Sequence, residues 1–130
     1  MPRTLILLAA VLMTACTHGP RVERLSFPTR PEGDQTVVVS GGGRYGGELL
    51  AAADTGFIVL VSASQRAVFI PMSAVRTVRL SSLGQFPTPI RAREMRKIQL
   101  VSRHPYGMPD AARTALLALT GQPDFDRIDQ

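Results

Sequence analysis

The most distinctive reactive group in this chain is its single thiol, Cys16. With no second cysteine it closes no disulfide within the chain, so its chemistry is nucleophilic attack or covalent modification. Other reactive residues are sparse. Metal sites need several imidazole, thiolate or carboxylate ligands at workable spacing, and His18 and His104 stand far apart with no second histidine near either. Asp124, Asp126 and Asp129 alternate as calcium ligands do, without the glycine and closing glutamate of a calcium loop. Glu48 and Asp54 could pair as acid and base in principle, but their places beside turn glycines read them as turn and rim residues. Gly41-Gly42-Gly43 lacks the lysine and the helix that a phosphate loop requires. Nor is there a serine elbow with a base and an orienting acid. The chain is therefore read as non-catalytic, with no metal and no cofactor expected.

The residues before the thiol explain its position. Arg3 is followed by the apolar run Leu5-Ile6-Leu7-Leu8-Ala9-Ala10-Val11-Leu12 and then by small residues, the layout of a secretory signal. That run is too short to cross a ~30 Å hydrocarbon core as a permanent helix. Met13-Thr14-Ala15-Cys16 closes it. This resembles the lipobox of bacterial lipoproteins, with Met13 where leucine is usual. The resemblance implies cleavage after Ala15, a diacylglycerol on the Cys16 thiol and palmitate-type acyl chains holding the mature protein to the cell envelope. Thr17 is not the aspartate that retains many such proteins in the inner membrane, so the resemblance implies an outer-membrane anchor facing the periplasm.

The sequence carries 15 Lys and Arg against 10 Asp and Glu, a net charge of +5. Apart from Lys97 every one of these cations is arginine. An excess of that sign favours anionic partners at low salt. The one cluster is Arg91, Arg93, Arg96, Lys97 and Arg103. It is either a solvated helix face or a surface for lipid headgroups or an acidic partner, each cation adding up to about 1 kcal/mol near a membrane. Arg76 and Arg79 form a smaller pair.

The elements that must hold these groups fall into four stretches. Residues 1–15 form the leader, and residues 16–34 the acylated cysteine and a tether punctuated by Gly19, Pro20, Pro28, Pro31 and Gly33. Residues 35–82 alternate β-branched runs with turn residues, which predicts five short strands. The first is Thr36-Val37-Val38-Val39. The second opens at Gly46-Gly47 and runs through Leu49 to Ala53 despite a helical composition, because Asp54-Thr55-Gly56 turns it. Phe57 to Val61, buried on both faces, then Ala67 to Ile70, and finally Arg76 to Leu80 follow. Five short strands bury enough surface only when bent into a small barrel, with Gly46 and Gly47 at the bend. Residues 83–130 predict a polar loop and a helical pair packed on the barrel. In the first helix Thr88 is the cap and Pro89 the first position. The second runs from Pro109 to Gly121 with an apolar stripe of Ala112, Ala115, Leu116 and Leu119. The class is α+β.

Gly43-Arg44-Tyr45-Gly46-Gly47-Glu48-Leu49, Asp54 with Gly56-Phe57, and Val68-Phe69-Ile70-Pro71 leading into Val75-Arg76-Thr77-Val78 together resemble a Sm-like (LSm-type) small barrel. The resemblance covers about a third of the chain. Family RNA contacts do not transfer, because Ile58 stands where the base-contacting asparagine would be and Pro71-Met72 replaces the Arg-Gly of the second motif. The expected function is a non-catalytic envelope lipoprotein that binds an envelope protein, through an open strand edge or the surface of Arg76, Arg79, Arg91, Arg93, Arg96 and Lys97. Sm-like nucleic-acid binding with altered contact residues is the alternative, disfavoured by the compartment and by few stacking aromatics. Ring assembly through strand edges is left open.

Overall fold

The computed structural model describes residues 32–128. The leader, Cys16, His18 and Asp129 lie outside the described residues, as does all of the tether before Glu32. Strand β1 (Gln35–Ser40) shows the simplest pattern, burying Thr36, Val38 and Ser40 while Val37 and Val39 face outward. A two-residue turn returns it as β2 (Gly43–Ala53). The register against the next strand slips between Leu49 and Ala51, and Leu49, Leu50 and Ala51 are all buried in succession. A bulge of this kind turns a strand, so both of its faces find cover. Gly47 lies before that bulge rather than in it, and has a steric reason of its own: a Cβ there would lie 1.9 Å from the Leu60 carbonyl oxygen. Gly46 has ordinary room.

β3 (Gly56–Val61) turns Phe57 and Val59 into the core and leaves Ile58 and Leu60 half-buried, so its second face is only partly covered. β4 (Arg66–Pro71) follows a turn, and a 3-10 turn (Met72–Ala74) leads to β5 (Val75–Leu80), which crosses to the free side of β1. The fold is α+β as expected, but the sheet holds seven strands rather than five, in the order β6-β5-β1-β2-β3-β4-β7. β6 (Gly84–Pro87) turns the expected polar loop into a hairpin with β5. β7 (Asp126–Arg127) lies parallel to β4 near the C-terminus. Residues 83–130 are therefore not purely helical, since both end strands belong to the sheet.

β4 and β5 are far apart in that order, yet Val68 and Ile70 share one buried cluster with Val75, Val78 and Leu80. The sheet must curl for their inner faces to meet. Among the described residues no strand pair joins its two ends, so a curled sheet with two edges replaces the closed barrel.

Helix α1 (Ala92–Val101) covers the open side of the curl with Met95 and Ile98. It starts later than expected. The Thr88 hydroxyl hydrogen-bonds the Arg76 carbonyl at 3.1 Å and so belongs to the sheet, while Arg91 takes the cap position and its N–H donates to Glu94 at 3.0 Å. Helix α2 (Asp110–Thr120) ends as predicted at Gly121, whose φ of 70° lets the Gln122 N–H reach the Leu117 carbonyl.

One ion pair ties these parts together. Glu48 is not a rim residue: it is 8% exposed and accepts from Arg103 Nη2 at 2.6 Å, from Arg103 Nε, and from the Gly33 N–H at 2.9 Å. Arg103 thereby leaves the cationic cluster in which the sequence placed it. Gly33 and Asp34 leave the tether in the same way, because Asp34 donates to the Val101 carbonyl and accepts from Leu49 N–H. Removing one partner of a buried pair strands the other charge. With Arg103 partly exposed, Glu48→Ala is expected to cost about 2–3 kcal/mol in urea unfolding. A loss below about 0.5 kcal/mol would contradict this role.

Candidate interaction surface

The expected surface cations occupy three places. Arg93, Arg96 and Lys97 are exposed on the outer side of α1, with Arg91 at its start. Their spacing sets Arg93, Arg96 and Lys97 on the face opposite Met95 and Ile98. Arg76 lies over the β1–β2 turn, its guanidinium 3.5 Å from where a Gly41 Cβ would be, and lines a hollow of about 440 Å³ with Ser40, Gly42 and Ser73. Arg79 pairs in register with Val37 and borders a different, shallower hollow of about 600 Å³ floored by Val37, Gly46 and Gly47. The two arginines thus line different hollows, and the β1–β5 register shifts between them at Val39–Ser40. None of the six makes an ion pair among the described residues.

Of the remaining cations among the described residues, Arg44 is exposed without an ion pair, and Arg66, Arg113 and Arg127 are engaged. Arg66 bonds Asp126 through Nε at 2.6 Å and Nη2 at 2.9 Å, and this contact holds the Asp126 carboxyl below the usual range. Asp124 is lowered first by the Phe125 N–H it accepts and then by Arg113. These two aspartates thus serve ion pairs, and among the described residues no three metal-ligating side chains lie together. Arg127 covers the Phe69 ring at 5.0 Å.

Sequence reasoning missed an apolar groove of about 380 Å³ lined by Leu50, Met108, Ala112, Ala115, Leu116 and Leu119. The stripe on α2 was visible, but it predicted a packed face. Instead no residue of α2 is buried, and Leu119 is 85% exposed. Leu50, on the outer face of the bent β2, was the missing signal: its burial without a place in the main core shows that α2 covers a second, thin layer.

The edges of the sheet differ from the expected open strand. The Gln122 side chain accepts from the Ala67 N–H at 2.7 Å and donates to its carbonyl at 3.0 Å, and β7 takes the next positions of β4. Among the described residues no helix is long and apolar enough to cross a membrane. Comparison with protein-family models, with curated proteins and with solved structures finds no match.

His104 borders the α2 groove, and burial, aided by the Arg103 charge and opposed by Glu48, pushes its pKa below 6.5. The folded chain thus holds the neutral imidazole more readily than the unfolded chain does. Its contribution to stability is complete above pH 6.5 and is lost as the pH falls through the lower folded value. Thermal melting of His104→Gln should therefore change less between neutral and mildly acidic pH than that of the parent; identical slopes would refute the assignment.

Proposed function

We propose that this chain is a non-catalytic module of the bacterial cell envelope, anchored by an acyl group at Cys16, that works by binding an envelope protein. One observation carries the binding half of this reading. Among the described residues every buried side-chain nitrogen and oxygen has a hydrogen-bond partner, whereas the cations at Arg76, Arg79, Arg91, Arg93, Arg96 and Lys97 carry no ion pair. Exposed cations without an ion pair thus outnumber the exposed carboxylates Glu32, Asp54 and Asp110 that likewise carry none, and they fill the outer side of α1. The anchoring half rests on the residues from Leu5 to Cys16, and two or three acyl chains at about 0.8 kcal/mol per buried methylene would hold the protein firmly. Mass spectrometry of protein from the envelope fraction is expected to give an N-terminal peptide beginning at acylated Cys16, and Cys16→Ser is expected to release the chain from membranes. An unmodified thiol on an intact leader would sink the reading.

The Sm-like alternative, a nucleic-acid binder with altered contacts, draws on the exposed Arg76 and Arg79 beside their hollows. It requires salt-dependent oligonucleotide binding that Arg76→Ala with Arg79→Ala weakens by tenfold or more. Absence of binding at low salt removes it.

A further inference from the structure

We infer that the outer face of α1 is a docking surface for an anionic phospholipid bilayer, and that it turns this side of the domain toward the membrane. The inference rests on the reading above and goes beyond it by assigning one patch to lipid, leaving Arg76, Arg79 and the α2 groove turned to other partners.

Arg93, Arg96, Lys97 and Leu100 are spaced as a single helical stripe, and Leu100 is 55% exposed among them. Like charges three and four positions apart repel on an isolated helix, so this stripe is unfavourable until an anion meets it. The carboxylate that could relieve it is turned away, because Glu94 accepts from the Arg91 N–H at 3.0 Å. Long arginine and lysine stems lie along an apolar boundary with their charges at headgroup level, and a leucine between them enters that boundary. A nucleic acid would use the charges and leave Leu100 without an apolar partner, whereas a bilayer takes up both.

The place where the described domain begins lies beside the same helix. Asp34 N–H bonds the Val101 carbonyl at 2.8 Å, so the segment leading from Cys16 joins the domain at the last residue of α1, next to Leu100. Residues 17–31 span at most about 50 Å when extended, which keeps this helix within reach of any surface holding Cys16. Each cation near an anionic surface is worth about fivefold in partitioning.

The test uses residues 17–130, which lack the thiol and retain the whole described domain, with its core of strands and α1 intact. Sedimentation with phosphatidylcholine vesicles, with and without phosphatidylglycerol, is expected to show binding only to the anionic ones and to fall with salt. The combined Arg93→Glu, Arg96→Glu and Lys97→Glu variant should lose more than tenfold, and Leu100→Asp several-fold. Arg76→Ala with Arg79→Ala should stay within twofold. Circular dichroism confirms that each variant folds. The inference falls if no vesicle is bound, if the Arg76 and Arg79 variant loses as much as the α1 variant, if Leu100→Asp is silent, or if an oligonucleotide is held as tightly as the vesicles. Because no acyl chain is present, its failure is separable from failure of the Cys16 anchor.

Discussion

The carboxylate of Glu48 is the point on which three otherwise separate pieces of chain depend. It is carried by the bulged strand β2, and it holds Gly33 at the start of the domain and Arg103 after α1. Backbone bonds run beside it: Arg103 N–H to the Leu49 carbonyl at 3.0 Å and His104 N–H to the Leu50 carbonyl at 2.9 Å. A bulged strand cannot satisfy all its polar groups through a regular ladder. Here the loop after α1 takes over where β2 leaves β3, so the bend and the ion pair are parts of one solution. A charge buried this deeply is tolerated because it meets a two-pronged guanidinium and a backbone donor together.

That arrangement divides the molecule into a well-covered layer and a thin one. Inside the curl, Val38, Leu49, Phe57, Val59, Ile70, Val78 and Ile98 are fully buried. Outside it, Leu50 and β4 meet α2, which contributes no buried residue. Stability of the second layer must therefore come from discrete contacts, chiefly Gln122 on β4 and the Arg66–Asp126 pair. Such a layer is the part of the fold where local opening costs least. His104 stands at the junction of the two layers, which is why burial and the charge of Arg103 act on it together.

The strands that were legible in the sequence are those whose turns are written locally. Gly41-Gly42, Asp54-Thr55-Gly56 and the residues before Arg66 mark β1 to β4, and turn chemistry correctly outweighed the helical composition of Leu49 to Ala53. β6 and β7 were not legible, because four and two residues carry no periodicity and exist only through a neighbour's ladder. Thr88 misled for a related reason: a hydroxyl that suits a helix cap also suits a strand carbonyl, and proximity to β5 decided between them. Arg103 was grouped with its sequence neighbours, whereas its partner lies 55 residues earlier. For the cations on α1 the helical spacing sufficed, since Met95 and Ile98 fix which face is turned inward.

The treatment of the two sheet edges follows from the failure to close. A barrel without edges needs no protection, but a curled sheet leaves a row of backbone donors and acceptors at each end. On β4 the Gln122 amide reproduces the paired donor and acceptor of a neighbouring strand at Ala67, and β7 with Ile128 continues that mimicry at Val68 and Phe69. On β5 the cover is β6, a short strand ending at Pro87, whose ring removes one donor from the outer row. Strand addition by a partner or a second copy would therefore have to use the outer side of β6 or of the two-residue β7. Among the described residues, exposed cations without an ion pair lie instead on the outer side of α1 and beside the two hollows that Arg76 and Arg79 line, away from these edges.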